Sequence, residues 1–218
     1  MGLTVDGLAF DLPPALAAPL QEASGEAAAG GPKVRPGDQR YADLVRGWNG
    51  RFVGKPDYVR VATTTAQVER AVGEAVSAGQ RVAVRSGGHC LEDFVTNPEV
   101  RVVIDMSSMN TISFDASRNA IMIEPGATLR QIYKTLFTRW AVTLPGGACP
   151  SVGAGGHFAG GGYGPLSRRL GIIPDHLYAV EVVTVDQAGR PVTVVATADA
   201  ADPNRELWWA HTGGGGGN

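Results

Sequence analysis

The sequence predicts an α+β domain built from two small halves, with glycine-rich segments at their junction. Three observations lead there. Residues 58–85 read as strand, helix, strand. Further on, short alternating strands are interrupted by one amphipathic helix. Between Leu144 and Gly164 lies the third feature, a stretch with nine glycines in 21 residues. Each glycine in an ordered segment costs roughly 0.5–1 kcal/mol more backbone entropy than alanine. A folded chain keeps so many where backbone needs φ > 0 repeatedly, or where it lies against a large flat or anionic ligand.

In chain order, residues 1–37 are rich in Ala, Pro and Gly and lack sustained periodicity, which predicts a loosely attached arm with a short helix near 14–23. Order is expected from about Asp38. A strand over Tyr58–Ala62 leads into Thr64-Thr65-Ala66-Gln67, a capping-box pattern. The helix after it carries Val68, Ala71, Val72, Ala75 and Val76 on one face and should stop at Gly79. Val82–Arg85 closes the β-α-β unit, and Val102–Asp105 is a further strand. Thr111–Phe114 and Ile121–Glu124 flank a turn at Asp115–Asn119. Pro125-Gly126 breaks the chain before a second capping box, Thr128 to Gln131, whose helix buries Leu129, Ile132, Tyr133 and Leu136 and runs to about Trp140. Ala179–Val185 and Pro191–Ala196 form a hairpin around Asp186–Gly189, and Asn204–Ala210 is a short helix. The expected division is an arm at 1–37, a first half at 38–125 and a second half at 126–218. No internal repeat is evident.

Composition removes several functional classes. With 218 residues and 44% hydrophobic content there is ample material for one core. Net charge is −2 and the basic residues are scattered, so neither nucleic acid nor a membrane surface is an expected partner. No apolar run reaches the length of a membrane span. The first basic residue is Lys33, so the start lacks a secretory n-region, and Asp6 stands where a myristoylation site needs Ser or Thr. A cytoplasmic protein is the expectation. Cys90 and Cys149 allow one disulfide, which that compartment disfavours, and neither they nor the four histidines have zinc-site spacing. No metal is expected.

The glycine stretch itself excludes two phosphate motifs. No lysine follows in the manner of a P-loop. Gly153-Ala154-Gly155 opens like a dinucleotide fingerprint, but Phe158 occupies the third glycine position and no helix-forming run is read after it. A flexible linker stays open on composition, although linkers rarely interleave Cys, Val, His, Phe and Tyr. Upstream, the strand Arg81–Arg85 empties into Ser86-Gly87-Gly88-His89-Cys90. Small residues after a strand expose a row of backbone N–H groups, a cradle for pyrophosphate with His89 at its edge.

The two motifs together, V-R-S-G-G-H and then P-G-G-x-C-x-x-V-G-x-G-G-H-x-x-G-G-G-Y-G, resemble the flavin-linked oxidases of the vanillyl-alcohol oxidase / p-cresol methylhydroxylase superfamily. The berberine-bridge-enzyme-like branch, which includes bacterial antibiotic-tailoring hexose and alcohol oxidases, fits best. Leu207 to Asn218 resembles that branch's W-W-A-x-x-G-G-G-G-G-N segment. The likeness covers about Asp38 to Asn218. It implies the two-subdomain FAD-binding fold of that superfamily, with the halves at 38–125 and 126–218 as its subdomains. It also implies FAD held covalently, through His89 to the flavin 8α-methyl and through Cys149 to flavin C6; the second bond requires a thiolate. Arg85, Ser86, Gly87 and Gly88 would contact the pyrophosphate. Gly153, Gly155, Gly156, Gly160, Gly161 and Gly162 would let backbone approach the diphosphate and ring, and Tyr163 would line the flavin edge or pack. Cys90, His157 and His176 read as structural, Asp105 as a turn or cap residue, and Arg168 and Arg169 as a solvated pair.

The activity implied is oxidation of an alcohol or sugar hydroxyl carbon on a secondary metabolite by hydride transfer to flavin, with O2 as acceptor and hydrogen peroxide as product. A flavin dehydrogenase with another acceptor, or a flavin- or nucleotide-binding module without catalysis, are the alternatives. A glycine run is a poor end for a domain, so the resemblance implies a substrate domain beyond Asn218, carrying the catalytic base.

Overall fold

A computed structural model describes residues 2–4 (backbone only) and 31–214. Two sheets organise the chain. The first is four-stranded, in the order β2-β3-β5-β4. It uses β2 (Lys33–Val34), β3 (Tyr58–Val61), β4 (Val82–Arg85) and β5 (Val102–Asp105). β5 lies parallel to both β3 and β4, while β2 adds antiparallel at the β3 edge. All four residues of β5 are buried, which is why Val102-Val103-Ile104-Asp105 shows no polar alternation. A single helical turn, α1 (Tyr41–Leu44), precedes β3.

The helix α2 (Thr65–Ser77) crosses between β3 and β4 and buries Val68, Ala71 and Ala75. Val72 packs at the edge of the same cluster, whereas Val76, expected on the buried face, is exposed. The Thr64 hydroxyl accepts from the Gln67 N–H as anticipated. Gln67 turns its own side chain one residue further back, accepting from the N–H and hydroxyl of Thr63. Gly79, at φ +61°, follows the helix end.

The second sheet is five-stranded and antiparallel throughout, in the order β6-β7-β1-β8-β9. It uses β1 (Gly2–Thr4), β6 (Ile112–Asp115), β7 (Ala120–Ile123), β8 (Leu177–Val185) and β9 (Pro191–Thr197). Two expectations change here. Segment 1–37 is not all arm, because β1 fills the gap between β7 and β8 and β2 extends the first sheet. The chain also changes sheets between Asp105 and Ile112, ahead of the expected boundary at 125. The helix anticipated near 14–23 lies outside the described residues.

The helix α3 (Leu129–Trp140) starts at a complete capping box of Thr128 and Gln131. It buries Leu129, Ile132, Leu136 and Trp140 in a cluster with Ile121, Ile123, Phe158 and Ile173. Each such side chain contributes roughly 1.5–3 kcal/mol on leaving water. Tyr133 is half-buried there and donates its hydroxyl to the Gly147 carbonyl at 2.6 Å. One helix was not expected: α4 (Ala154–Ala159) forms inside the glycine stretch. Its propensity is poor, but Ala154 and Phe158, one turn apart, are both fully buried, and tertiary packing overrides propensity. The short α5 (Ser167–Leu170) and the terminal α6 (Arg205–Gly213) complete the fold; the Trp208 indole N–H on α6 bonds the Leu177 carbonyl of β8 at 2.7 Å.

Candidate functional site

The site forms where the loop after β4 meets the start of the glycine stretch. Close contact of two backbones makes that meeting. A Cβ on Gly87 would overlap the Gly153 N–H, and one on Gly153 would overlap the Ser86 hydroxyl and the Gly87 N–H. Nothing larger than glycine fits at either position. Pro125 ties the loops from the side, its carbonyl accepting from the Ser86 hydroxyl and from the Gly155 N–H (2.9 Å). The Ala154 N–H reaches the Ala127 carbonyl at 2.8 Å.

Beneath the loop sits a buried ion pair. Arg85 Nη1 donates to Asp105 Oδ2 at 2.5 Å, and Asp105 is completely buried. Its other oxygen accepts from the N–H and hydroxyl of Ser107, so Asp105 is a turn residue as read from sequence and an ion-pair partner as well. The guanidinium lies against Gly88, whose φ is +71° and whose Cβ would meet Arg85 Nη2 at 2.8 Å. Arg85 therefore supports the loop from below, and its Nε finds no hydrogen-bond partner among the described residues. Breaking such a pair by removing one partner typically costs about 3–5 kcal/mol.

Above the loop the two expected attachment residues converge. His89 Nε2 lies 2.9 Å from Ser151 Oγ, and Cys149 Sγ lies 3.6 Å from the same oxygen. The imidazole also stacks on Trp48, with centroids 4.6 Å apart and planes 17° from parallel. Trp48 is fixed in turn by its backbone N–H, which donates to the Gly88 carbonyl at 2.7 Å. Partial burial lowers the His89 pKa below the ordinary imidazole value, which favours the neutral ring. Both cysteines are free thiols. Sequence reasoning did not find Ser151 or Trp48. Ser151 carried a weak signal in standing two positions after Cys149, whereas nothing in the spacing of Trp48 points to His89.

The remaining glycines divide. Gly160 and Gly162 are pressed against the Gly156 carbonyl and the His157 ring respectively, and Gly155 against Pro125. His157 Nε2 accepts the Gly147 N–H at 3.0 Å, and burial lowers its pKa; it is a structural bond, like that of His176 to the Leu170 carbonyl. Gly156 and Gly161 instead face open space: among the described residues, no atom beyond their own chain neighbours and helix backbone lies within 4 Å of an added Cβ. Tyr163 beside them is 74% exposed and does not pack. Arg168 and Arg169 are exposed on α5. Among the described residues there is no cluster suited to a metal ion, and no helix is long and apolar enough to cross a membrane.

These features suit a flat cofactor with an anionic tail. The N–H groups of Gly87, Gly88 and His89 donate to no protein acceptor among the described residues, and the open glycines leave a surface free of side chains. A model of the FAD binding domain matches residues 56–194. The chain is 58% identical over 222 residues to an aclacinomycin-N/aclacinomycin-A oxidase of Streptomyces galilaeus, an alignment covering 100% of this chain and 41% of the relative. It is 37% identical over 190 residues to a hexose oxidase of Chondrus crispus, covering 83% and 34%. Among solved structures, a glycopeptide hexose oxidase complexed with teicoplanin superposes with a TM-score of 0.84 at 57% identity, covering 87% of this chain and 38% of that one. An aclacinomycin oxidoreductase gives 0.83 at 62%, covering 86% and 38%. The chain thus spans well under half the length of these relatives. The fold class and family expected from the two motifs are both borne out: this chain belongs to the FAD-binding domain family of the berberine-bridge-enzyme-like flavin oxidases.

Proposed function

We propose that this chain is the cofactor-holding part of an oxidase that carries FAD on two covalent bonds and oxidises an alcohol or sugar hydroxyl carbon of a secondary metabolite, with O2 as the final acceptor. The observation that carries this reading is the convergence of His89 and Cys149 on one serine hydroxyl, at the place where two stripped backbones meet. Two nucleophiles from segments sixty residues apart in sequence would otherwise have no reason to share a partner. FAD, when bound, supplies the hydride acceptor and passes the electrons to oxygen.

The chain's own residues hold, orient and shield. The N–H groups of Gly87, Gly88 and His89 would bind the pyrophosphate, with the bent conformation of the loop fixed by Arg85, Asp105 and the Ser86 bond to Pro125. Arg85 acts here by supporting Gly88. Gly153 and Gly155 bring the second segment against the first, Gly160 and Gly162 shape its return, and Gly156 and Gly161 keep the cofactor face clear. Tyr163 stands exposed at that face, where it would line the flavin edge. The similarity to oxidases named for aclacinomycin, hexose and glycopeptide chemistry supports the substrate class. The group that takes the hydroxyl proton is expected in the part of the relatives that this chain does not span.

Acid precipitation of the full-length protein, followed by peptide mass mapping, tests the reading. Flavin should stay with the pellet on the peptides containing His89 and Cys149. Flavin that washes away entirely would reject covalent attachment, and flavin on the His89 peptide alone would remove Cys149 from the site.

A further inference from the structure

We infer that Ser151 is the positioning residue for both covalent attachments, presenting the His89 Nδ1 and the Cys149 sulfur with free electron pairs through one hydroxyl group. This rests on the bicovalent reading above and adds a residue to it.

The argument begins with what a hydroxyl can do. Ser151 has one hydrogen to donate and lone pairs to accept with, and it stands 2.9 Å from His89 Nε2 and 3.6 Å from Cys149 Sγ. The chain of bonds can run in two directions. In one, the thiol donates to Ser151 Oγ and the hydroxyl donates to Nε2. That leaves the ring proton on Nδ1 and the sulfur proton on Cys149, so both are blocked. In the other, Nε2–H donates to Oγ and the hydroxyl donates to the sulfur. Nδ1 then carries an open lone pair, and the sulfur accepts a hydrogen bond in the form that attacks. Only the second direction prepares both atoms, and it prepares them together.

The ring's orientation is settled by two further observations. Stacking on Trp48 sets the plane of the imidazole, and the Ser151 bond sets which edge points inward. Among the described residues Nδ1 has no hydrogen-bond partner, so it is the nitrogen left for attachment. The reduced basicity of His89 that follows from burial keeps that lone pair unprotonated near neutral pH. Each attachment exchanges one flavin C–H and one protein N–H or S–H for a single new bond. The ring proton lost is the one on His89 Nε2 and the sulfur proton is that of the Cys149 thiol, both released to solvent. With the flavin proton, the two protons and two electrons of each attachment pass to dioxygen, giving one hydrogen peroxide per bond. Ser151 itself is unchanged at the end.

The test uses full-length apoprotein produced under flavin depletion and mixed with FAD in aerobic buffer. Samples are quenched with acid over time, and the flavin retained on each peptide is counted. Flavin binding before the quench is followed separately by fluorescence. Ser151→Ala should slow covalent attachment at both residues by about tenfold, the rate equivalent of one such hydrogen bond, while reversible FAD binding persists. Ser151→Thr keeps the hydroxyl and should recover a rate within about threefold of wild type, a rescue that packing alone does not supply. Wild-type rates in Ser151→Ala would overturn the inference and leave the bicovalent reading standing. Loss of reversible binding in both variants would also overturn it, since the serine would then serve the fold. Wild-type protein that never retains flavin would sink the underlying reading and this inference with it.

Discussion

The glycine stretch has two sides, and they keep glycine for opposite reasons. On the packed side, Gly164 presses on the Gly146 carbonyl and Gly153 on the loop of Ser86 and Gly87, so any side chain would overlap backbone. On the open side, Gly156 and Gly161 have no described residue, apart from their own chain neighbours and helix, within 4 Å of where a Cβ would stand. The packed glycines belong to the fold: Gly153 holds the loop after β4 at backbone distance, and Gly164 folds the glycine stretch back on itself. The open ones cost conformational entropy although no described neighbour needs the room that a side chain would fill. Their use lies in whatever rests on them, and FAD is the group that the family supplies.

The largest effect expected is on the packed side. Gly164→Ala should destabilise the flavin-free protein by about 3 kcal/mol or prevent folding, because the obstacle is a backbone carbonyl that cannot rotate away as a side chain does. Denaturant unfolding followed by circular dichroism reads this directly. A variant as stable as wild type would erase the distinction between the two sides.

Gly156→Ala sharpens the contrast by separating two signs in one variant. The position lies within α4, its φ is not in the left-handed region, and the added methyl enters empty space. The flavin-free protein should become more stable by about 0.5–1 kcal/mol, the ordinary gain of alanine over glycine in a helix. On the proposed reading, affinity for FAD should nonetheless fall about tenfold, since a methyl would then stand on the surface offered to the cofactor. Thermal unfolding without flavin and a fluorescence titration with it give the two numbers. Improved stability with undiminished affinity would place the cofactor elsewhere.

How much of this was legible from sequence depends on whether the determining contacts were local. The Thr64 cap of α2, the capping box of α3, the buried run of β5 and the β8–β9 hairpin are set by neighbouring residues and stand where the pattern put them, although Gln67 bonds Thr63 and so leaves the α2 box incomplete. The strands β1 and β2, of three and two residues, are too short to carry a period and exist because distant partners pair with them. For α4 the composition argues against a helix, and only the core around Phe158 explains it. Within the proposed site, His89, Cys149 and the glycines are candidates that a long motif singles out, and the fold brings His89 and Cys149 to one serine. Ser151 and Trp48 meet His89 through tertiary contacts, and a further one, the Arg85–Asp105 pair, sets the guanidinium against Gly88. Local pattern nominates the candidate atoms; what surrounds and orients them is visible only in three dimensions.

The β6–β7 turn supplies the smallest test, because it reverses the chain sharply without any glycine. Asn119 takes the left-handed conformation at φ +47°, and Asp115 does the rest. Its carboxylate accepts from the N–H groups of Ser117 and Arg118, the Ser117 hydroxyl and the Arg118 guanidinium. Those bonds, led by the Ser117 hydroxyl, lower the Asp115 pKa from 3.8 to about 2. A depressed carboxylate stabilises the fold above its unfolded pKa, and the contribution is lost as pH falls through the folded value. Asp115→Asn retains an acceptor oxygen and the pair is partly exposed to screening, so its cost at neutral pH should be less than about 1 kcal/mol. The difference between wild type and variant should then vanish between pH 3.8 and about 2, the window set by the two pKa values. A difference that persisted unchanged to pH 2 would mean that geometry, not charge, holds this turn, and that the glycine-free turn and the packed glycines obey the same steric rule.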